Sequence, residues 1–275
     1  MSNSSYGTLF IVSTPIGNLS EASKRVIDTL NMVDIVACED TRNTRKLLSH
    51  FDIHKPMISY HNFNEDEESL KLIVLLKEGK NIALVSDAGY PLISDPGYIL
   101  VNRLADEDIN MTVISGPSAG INALVASGLE TSHYLFYGFL NAKASKAKGE
   151  LEKLKDFPYT LIFYEAPHRI NKMLNLLYEV YGNRKVCVAR ELTKLHEEFV
   201  RGNLFDVKDR EYKGEIVVVV EGFKGEEKEI DIDSCLEEVK KLVNSGLKTK
   251  DAVKVVAEKY KIKKNELYNS FIKEN

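Results

Sequence analysis

Short apolar runs of strand length recur through the first half of the chain, at residues 9–12, 35–38, 57–60, 82–85 and 111–114. Each is followed by a polar turn and then by apolar positions at helical spacing. Ala22, Val26, Leu30 and Val33 share one such face, with Ser20 expected as its N-cap. Leu70, Ile73 and Val74 share another, on a helix expected over residues 66–78 and stopped by Gly79. Ile99, Leu100, Val101 and Leu104, and then Ile121, Leu124 and Val125, give two more. Alternation of strand and helix predicts a largely parallel sheet.

The pattern changes after Gly116-Pro117. Residues 134–140 are aromatic and strand-like; residues 160–164, 185–189 and 214–222 read as strands, and residues 198–202 are expected to pair antiparallel. Ile170, Leu174, Leu177 and Tyr181 mark a helix opened by Pro167. This half is therefore predicted to be a mixed sheet with helices on its faces. Residues 141–149 are small, flexible and basic, either a phosphate-backbone contact or a solvated connector. Residues 223–233 are charged and aromatic-poor, as in a linker. The remaining stretch carries three helical faces in a helix-turn-helix-like arrangement, with a break at Gly246. The resulting division is an α/β domain over residues 1–117, a second over 118–223, a linker at 224–235 and a helical element over 236–275.

Composition narrows the function classes. With 275 residues the chain has ample core for one large domain or two. Its net charge of −4 excludes a global basic field. Residues 236–275, however, carry ten lysines against six acids, a local net of +4 that suggests a nucleic-acid contact. The alternative is a lysine-rich, solvated bundle. No apolar run reaches membrane-spanning length, and the first residues lack the pattern of a signal peptide. Cys38, Cys187 and Cys235 are few and widely spaced, fitting neither a disulfide framework nor a metal site. The expectation is a cytoplasmic, reduced, metal-free protein.

Chemistry concentrates at the carboxyl ends of the predicted strands. Asp87, Ala88, Gly89 and Tyr90 open a loop that runs through Pro91, Asp95, Pro96 and Gly97. In an open α/β sheet such a loop is where ligands bind, and Asp87 and Asp95 offer carboxylates to hydroxyls or an ammonium. Thr14-Pro15-Ile16-Gly17 follows the first strand without a G-x-G-x-x-G fingerprint, which argues against a dinucleotide-dependent dehydrogenase. Glu39, Asp40, Arg42 and Arg45 follow the second strand; they form either a phosphate-recognising polar site or a helix cap with solvated arginines. His61 follows the third strand, as a base, a phosphate donor or simply a loop residue. Ser118 and Ala119 open a helix, where small residues let a ligand approach its N–H groups or let the helix pack closely on a sheet.

Taken together, these loops resemble one family. Residues 14–19, 39–44, 61–65, 86–97, 116–119, 163–169, 189–194 and 213–215 match, in order, motifs of bacterial 16S ribosomal RNA cytidine 2′-O-methyltransferases. That family lies within the tetrapyrrole-methylase superfamily of S-adenosylmethionine enzymes. The resemblance implies a two-lobed α/β fold with S-adenosylmethionine in the cleft and no metal. It implies cofactor contacts from Pro15, Asp87, Ala88, Gly89, Tyr90, Ser118, Ala119, Phe163, Tyr164, Ala189 and Glu215. Threonine is usual in the family at the position of Tyr90. The implied substrate is 16S rRNA in the small ribosomal subunit, and the implied assembly a homodimer. In that setting Glu39 and Asp40 are the first candidates for a proton acceptor, with Glu165, His168 and Glu191 behind them. Arg42, Arg45 and Arg169 are candidates for phosphate contacts. A tetrapyrrole C-methyltransferase and a non-catalytic RNA-binding protein of the same fold are the alternatives.

Overall fold

The computed structural model describes residues 6–107, 109–225, 232–260 and 262–274. Five strands form the first sheet: β1 (Leu9–Val12), β2 (Ile35–Cys38), β3 (Met57–Ser59), β4 (Ile82–Val85) and β5 (Met111–Ile114). They lie in the order β3-β2-β4-β1-β5, every neighbour parallel. Helices α1 (Lys24–Met32), α2 (Thr41–His50), α3 (Glu65–Lys77) and α4 (Tyr98–Asp106) make the crossovers. Parallel strands are covered on both sides. Accordingly, Leu9, Ile82 and Leu84 enter a core with Leu72, Leu76 and Leu100, while Val12, Ala83 and Val85 enter another with Val26 and Leu30.

β1 and β4 are adjacent, yet the chain leaves β1 toward β2 on one side and leaves β4 toward β5 on the other. Their carboxyl ends therefore flank a topological switch point, where a crevice opens. Thr14 and Gly89 close its floor with two backbone hydrogen bonds of 2.9 and 3.0 Å.

The second sheet has the order β6-β7-β10-β8-β9. Its strands are β6 (Tyr134–Phe139), β7 (Thr160–Glu165), β8 (Lys185–Arg190), β9 (Glu198–Asn203) and β10 (Ile216–Val220). Only β6–β7 is parallel, and β9 pairs antiparallel with β8. Side chains alternate along these strands. Leu161, Phe163, Val186, Val188 and Val218 face a core shared with α7 (Ile170–Tyr181). Ile162, Cys187, Ala189, Val217 and Val219 face α5 (Ala119–Ser127) through Ala123 and Leu124. A short helix, α8 (Leu204–Val207), follows β9.

Two local expectations are corrected. Ser20 does not cap α1: it lies in a 3-10 turn capped by Asn18, and Ser23 accepts from the Val26 N–H instead. Residues 141–149 are not a flexible connector, because α6 (Ala144–Lys153) begins there and buries Ala147 and Leu151 against the second sheet's core. Alanine-rich sequence has high helix propensity, and two buried positions four apart suffice to dock it.

The chain divides into two compact units, one through Phe223 and one from Lys224 onward, so the expected boundary at 117/118 falls inside the first. Most of the expected linker, residues 226–231, lies outside the described residues, as does Lys261. In the second unit α9 (Ile232–Asn244) starts within the expected linker. It packs with α10 (Thr249–Tyr260) and α11 (Lys264–Glu274) around Val239, Val253, Val256 and Leu267.

Candidate active site

A cavity of about 380 Å³ lies at the switch point, a size suited to a small-molecule ligand. The loop after β4 supplies Asp87, Ala88, Gly89, Tyr90 and Asp95; the start of α5 supplies Ser118 and Ala119. The second sheet supplies Tyr164 and Glu165 from β7 and Glu215, Ile216 and Val217 at the start of β10. Ile16, Ile93, Phe139 and Leu192 add apolar wall. Thus ten of the anticipated residues converge on one cavity: Asp87, Ala88, Gly89, Tyr90, Asp95, Ser118, Ala119, Tyr164, Glu165 and Glu215.

Three other anticipated cofactor contacts are placed differently. Pro15 is buried and is not part of the cavity wall. Phe163 is fully buried and points into the core on the opposite face of the sheet from Tyr164. Ala189 is fully buried against α5. Conversely, Ile16, Ile93, Phe139, Leu192 and Val217 join the wall without having been anticipated. Isolated apolar residues carry no sequence signal that separates a ligand wall from a core.

Hydrogen bonds hold the wall in place. Tyr164 Oη accepts the Gly120 N–H at 3.1 Å, with Phe136 and Phe139 packed edge-on to its ring at 5.0 and 5.6 Å. Burial pushes this phenol up. Tyr90 Oη accepts the Gly116 N–H at 3.2 Å, so the larger residue at this position ties the two loops together. On the opposite side Lys194 Nζ bridges Glu191 Oε1 at 2.9 Å and Glu215 Oε2 at 3.0 Å. Glu191 Oε1 also accepts the Glu215 N–H at 3.0 Å. Its carboxyl is held below the ordinary range by Lys194 and by that N–H. Glu191 is thereby a brace for the cavity rim.

Carboxylates cluster where β2 and β4 end. Asp87 accepts from Asn43 Nδ2 at 2.8 Å and from the Asp40 N–H at 3.3 Å, joining the start of α2 to the cavity loop. Glu39 is pushed up by burial and by Asp87. Asp95 is pushed up to about 6 by burial and by the neighbouring Glu39 and Asp87. Asp40 behaves oppositely. It caps α2 and holds Arg42 at 2.6 Å, and those hydrogen bonds pull it down to about 2. A carboxylate so committed is a weak proton acceptor, which sets Asp40 apart from Glu39, the other first candidate.

Glu165 is almost wholly buried. It accepts the Ala166 N–H at 2.8 Å and pairs with Arg169 at 3.2 Å. Arg169 Nη2 also donates to the Leu140 carbonyl at 3.1 Å. Arg169 is thus a brace before it is a phosphate contact. His168 is exposed on the turn before α7, and Arg42 and Arg45 are exposed on α2. His61 accepts the Phe63 N–H through Nδ1 and sits in a tight turn near Glu39. A second hollow of about 350 Å³ adjoins the first through Glu165, between α6 and α7, with Arg169 and Lys172 in its wall. Among the described residues no group of His, Cys, Asp and Glu has the arrangement of a metal site, and the three cysteines are free and buried. Among the same residues no helix is long and apolar enough to cross a membrane.

Comparison with known proteins identifies what this arrangement belongs to. The family model for Tetrapyrrole (Corrin/Porphyrin) Methylases matches residues 8–208. A Bacillus subtilis protein named Ribosomal RNA small subunit methyltransferase I is 42% identical over 98% of this chain and 95% of its own length. A Streptococcus pyogenes serotype M18 protein of the same name is 44% identical over 96% and 94%. The crystal structure of uroporphyrin-III-C-methyltransferase from Thermus thermophilus superposes with a TM-score of 0.56 at 16% identity, over 78% of this chain and 94% of that one. The chain belongs to the tetrapyrrole methylase family, on the branch of the relatives named Ribosomal RNA small subunit methyltransferase I.

Proposed function

We propose that the protein methylates the ribose 2′-oxygen of a cytidine in 16S rRNA, using S-adenosylmethionine and acting on the small ribosomal subunit at its decoding centre. The observation that carries the reading is the cavity at the switch point, where elements of both sheets bring carboxylates together with apolar and aromatic wall. The names of the full-length relatives support RNA of the small subunit as the substrate class.

The donor set fits S-adenosylmethionine. Its ammonium, sulfonium and ribose hydroxyls are matched by carboxylates, which Asp87 and Glu215 supply; its adenine requires apolar wall, which Ile16, Leu192 and Val217 supply. Ser118 and Ala119 bring the backbone of α5 to the cavity. When bound, the co-substrate supplies a methyl group already activated on sulfur. The protein's task is then alignment, worth roughly 7–11 kcal/mol of the barrier. Tyr164 and Tyr90 hold the loops against the cavity, and the Glu191–Lys194 brace fixes the backbone that presents Glu215. The hollow between α6 and α7 gives the neighbouring nucleotides a place next to the reacting ribose. Lys172 lines that hollow, and Lys143 and Lys146 are exposed at the start of α6, to meet phosphates.

The lysine-rich second unit adds salt-dependent affinity, and deleting residues 231–275 is expected to weaken RNA binding while sparing S-adenosylmethionine binding. Homodimerisation and a cytoplasmic location belong to the same proposal. Nucleoside analysis of 16S rRNA from cells lacking and then regaining the gene tests it. Loss and recovery of one 2′-O-methylcytidine is the expected result. A tetrapyrrole substrate would instead show as binding of a uroporphyrinogen-type compound.

A further inference from the structure

Resting on that reading, we propose that Asp95 is the proton acceptor for the attacking ribose hydroxyl, with Glu39 as the positioning residue behind it. Asp95 reaches the cavity wall, whereas Glu39 does not. The segment carrying Asp95 is built to hold it there. Leu92 and Ser94 both adopt left-handed backbone, at φ 71° and 70°. Such strain in non-glycine residues persists only where surrounding structure enforces it, and it clusters at functional sites.

The enforcing contacts come from both sides. Leu92 packs into the core of the first sheet and lies directly under Gly97, where a Cβ would meet its Cδ1 at 2.7 Å. The Gly97 N–H donates to Glu65 Oε2 at 3.2 Å. Ser94 abuts Gly138, at the register shift of β6, where a Cβ would lie 3.0 Å from Ser Oγ. The loop therefore spans from one sheet to the other, with Asp95 between two fixed points.

The groups facing Asp95 are Glu39 from the end of β2, Asp87 and the Ser86 hydroxyl from the end of β4, and Tyr164 from β7. Two are carboxylates, and Tyr164 is a phenol whose ionisation is pushed up. Burial, then Glu39 and Asp87, raise the carboxyl to about 6 against the opposing Ser86 hydrogen bond, near the pH at which a base combines ionisation with proton affinity.

The step balances. The 2′-oxygen gives its proton to the Asp95 carboxylate and its lone pair to the methyl carbon. The carbon–sulfur bond breaks with its electron pair remaining on sulfur, so a neutral thioether departs. The protonated Asp95 then releases its proton to water.

The test uses the full-length protein with small ribosomal subunits lacking the modification. Single-turnover rates are measured against pH for wild type, Asp95→Asn and Glu39→Gln, with S-adenosylmethionine affinity by calorimetry and the Asp95 carboxyl titrated by carbon NMR. Wild type is expected to rise with unit slope through about pH 6 to a plateau, matching the carboxyl titration. Asp95→Asn is expected to lose about 10²-fold or more and to lose that limb, with co-substrate affinity held within about threefold. Glu39→Gln is expected to move the limb to lower pH, because a neighbouring negative charge is gone. An undiminished Asp95→Asn overturns the assignment, as does one that loses co-substrate binding, since Asp95 would then hold the co-substrate. If that variant fails to fold, a carboxyl titrating below about pH 5, or a Glu39→Gln limb that does not move, overturns it. Wild-type label on a base instead of a ribose sinks the underlying reading; ribose label with an active Asp95→Asn sinks this inference alone.

Discussion

Arg169 Nη2 lies 3.2 Å from Glu165 Oε2, and Glu165, only 2% exposed at its side chain, forms the wall shared by both hollows. Removing the arginine would leave a buried carboxylate with one N–H partner and would release the Leu140 carbonyl as well. Arg169→Ala is expected to destabilise the fold by about 3 kcal/mol, read by urea unfolding. Glu165→Gln, which keeps an acceptor for the Ala166 N–H, is expected to cost less.

Gly214 sits at φ 81°, and a Cβ there would lie 2.2 Å from Glu191 Oε1. Gly214→Ala must therefore displace the carboxylate that accepts the Glu215 N–H and the Lys194 ammonium. The expected outcome is a loss of about 2 kcal/mol in stability together with weakened S-adenosylmethionine binding. Calorimetry on the folded variant separates the two effects.

Asp95 imposes a stability cost that depends on pH. Its folded-state value of about 6 is above its ordinary value of 3.8, so the fold favours the protonated form. The stabilisation is full below about pH 3.8 and is lost as pH rises through about 6. Asp95→Asn, which cannot ionise, is expected to be more stable than wild type at pH 7.5 by about 1 kcal/mol and equal to it at pH 4. Thermal unfolding at the two values checks the sign.

Lys172 lines the hollow between α6 and α7, and Lys146 is exposed on α6. Charge reversal of each is expected to weaken RNA binding and to lower the salt slope by about one for every phosphate no longer neutralised. S-adenosylmethionine binding should not change. An unaltered salt slope would remove this hollow from the RNA path.

Legibility in the sequence tracks the range of the interactions. The runs 35–38, 82–85 and 111–114 are strands to the residue, because apolar stretches of that length bounded by turns admit little else. The cavity loop is legible for the same reason: two prolines and two glycines exclude any regular element. Side-chain direction beyond a strand's end is not. Phe163 and Tyr164 are neighbours in sequence, yet one enters the core and the other the cavity. Helix α6 is hidden because alanine, lysine and glycine draw no apolar stripe. Asp40 looks equivalent to Glu39 in the chain because its partner, Arg42, lies only two residues away and leaves no periodic pattern. Asp95 is legible as a ligand carboxylate, but its closeness to Glu39 spans more than fifty residues and arises only on folding.

Ribose methylation of 16S rRNA at the switch-point cavity is tested most directly with purified protein, methyl-labelled S-adenosylmethionine and small ribosomal subunits that lack endogenous methylation. The digested nucleosides are then analysed for label. The expected result is label in a single 2′-O-methylcytidine. Co-substrate binding without label in RNA, or label on a base, would contradict it.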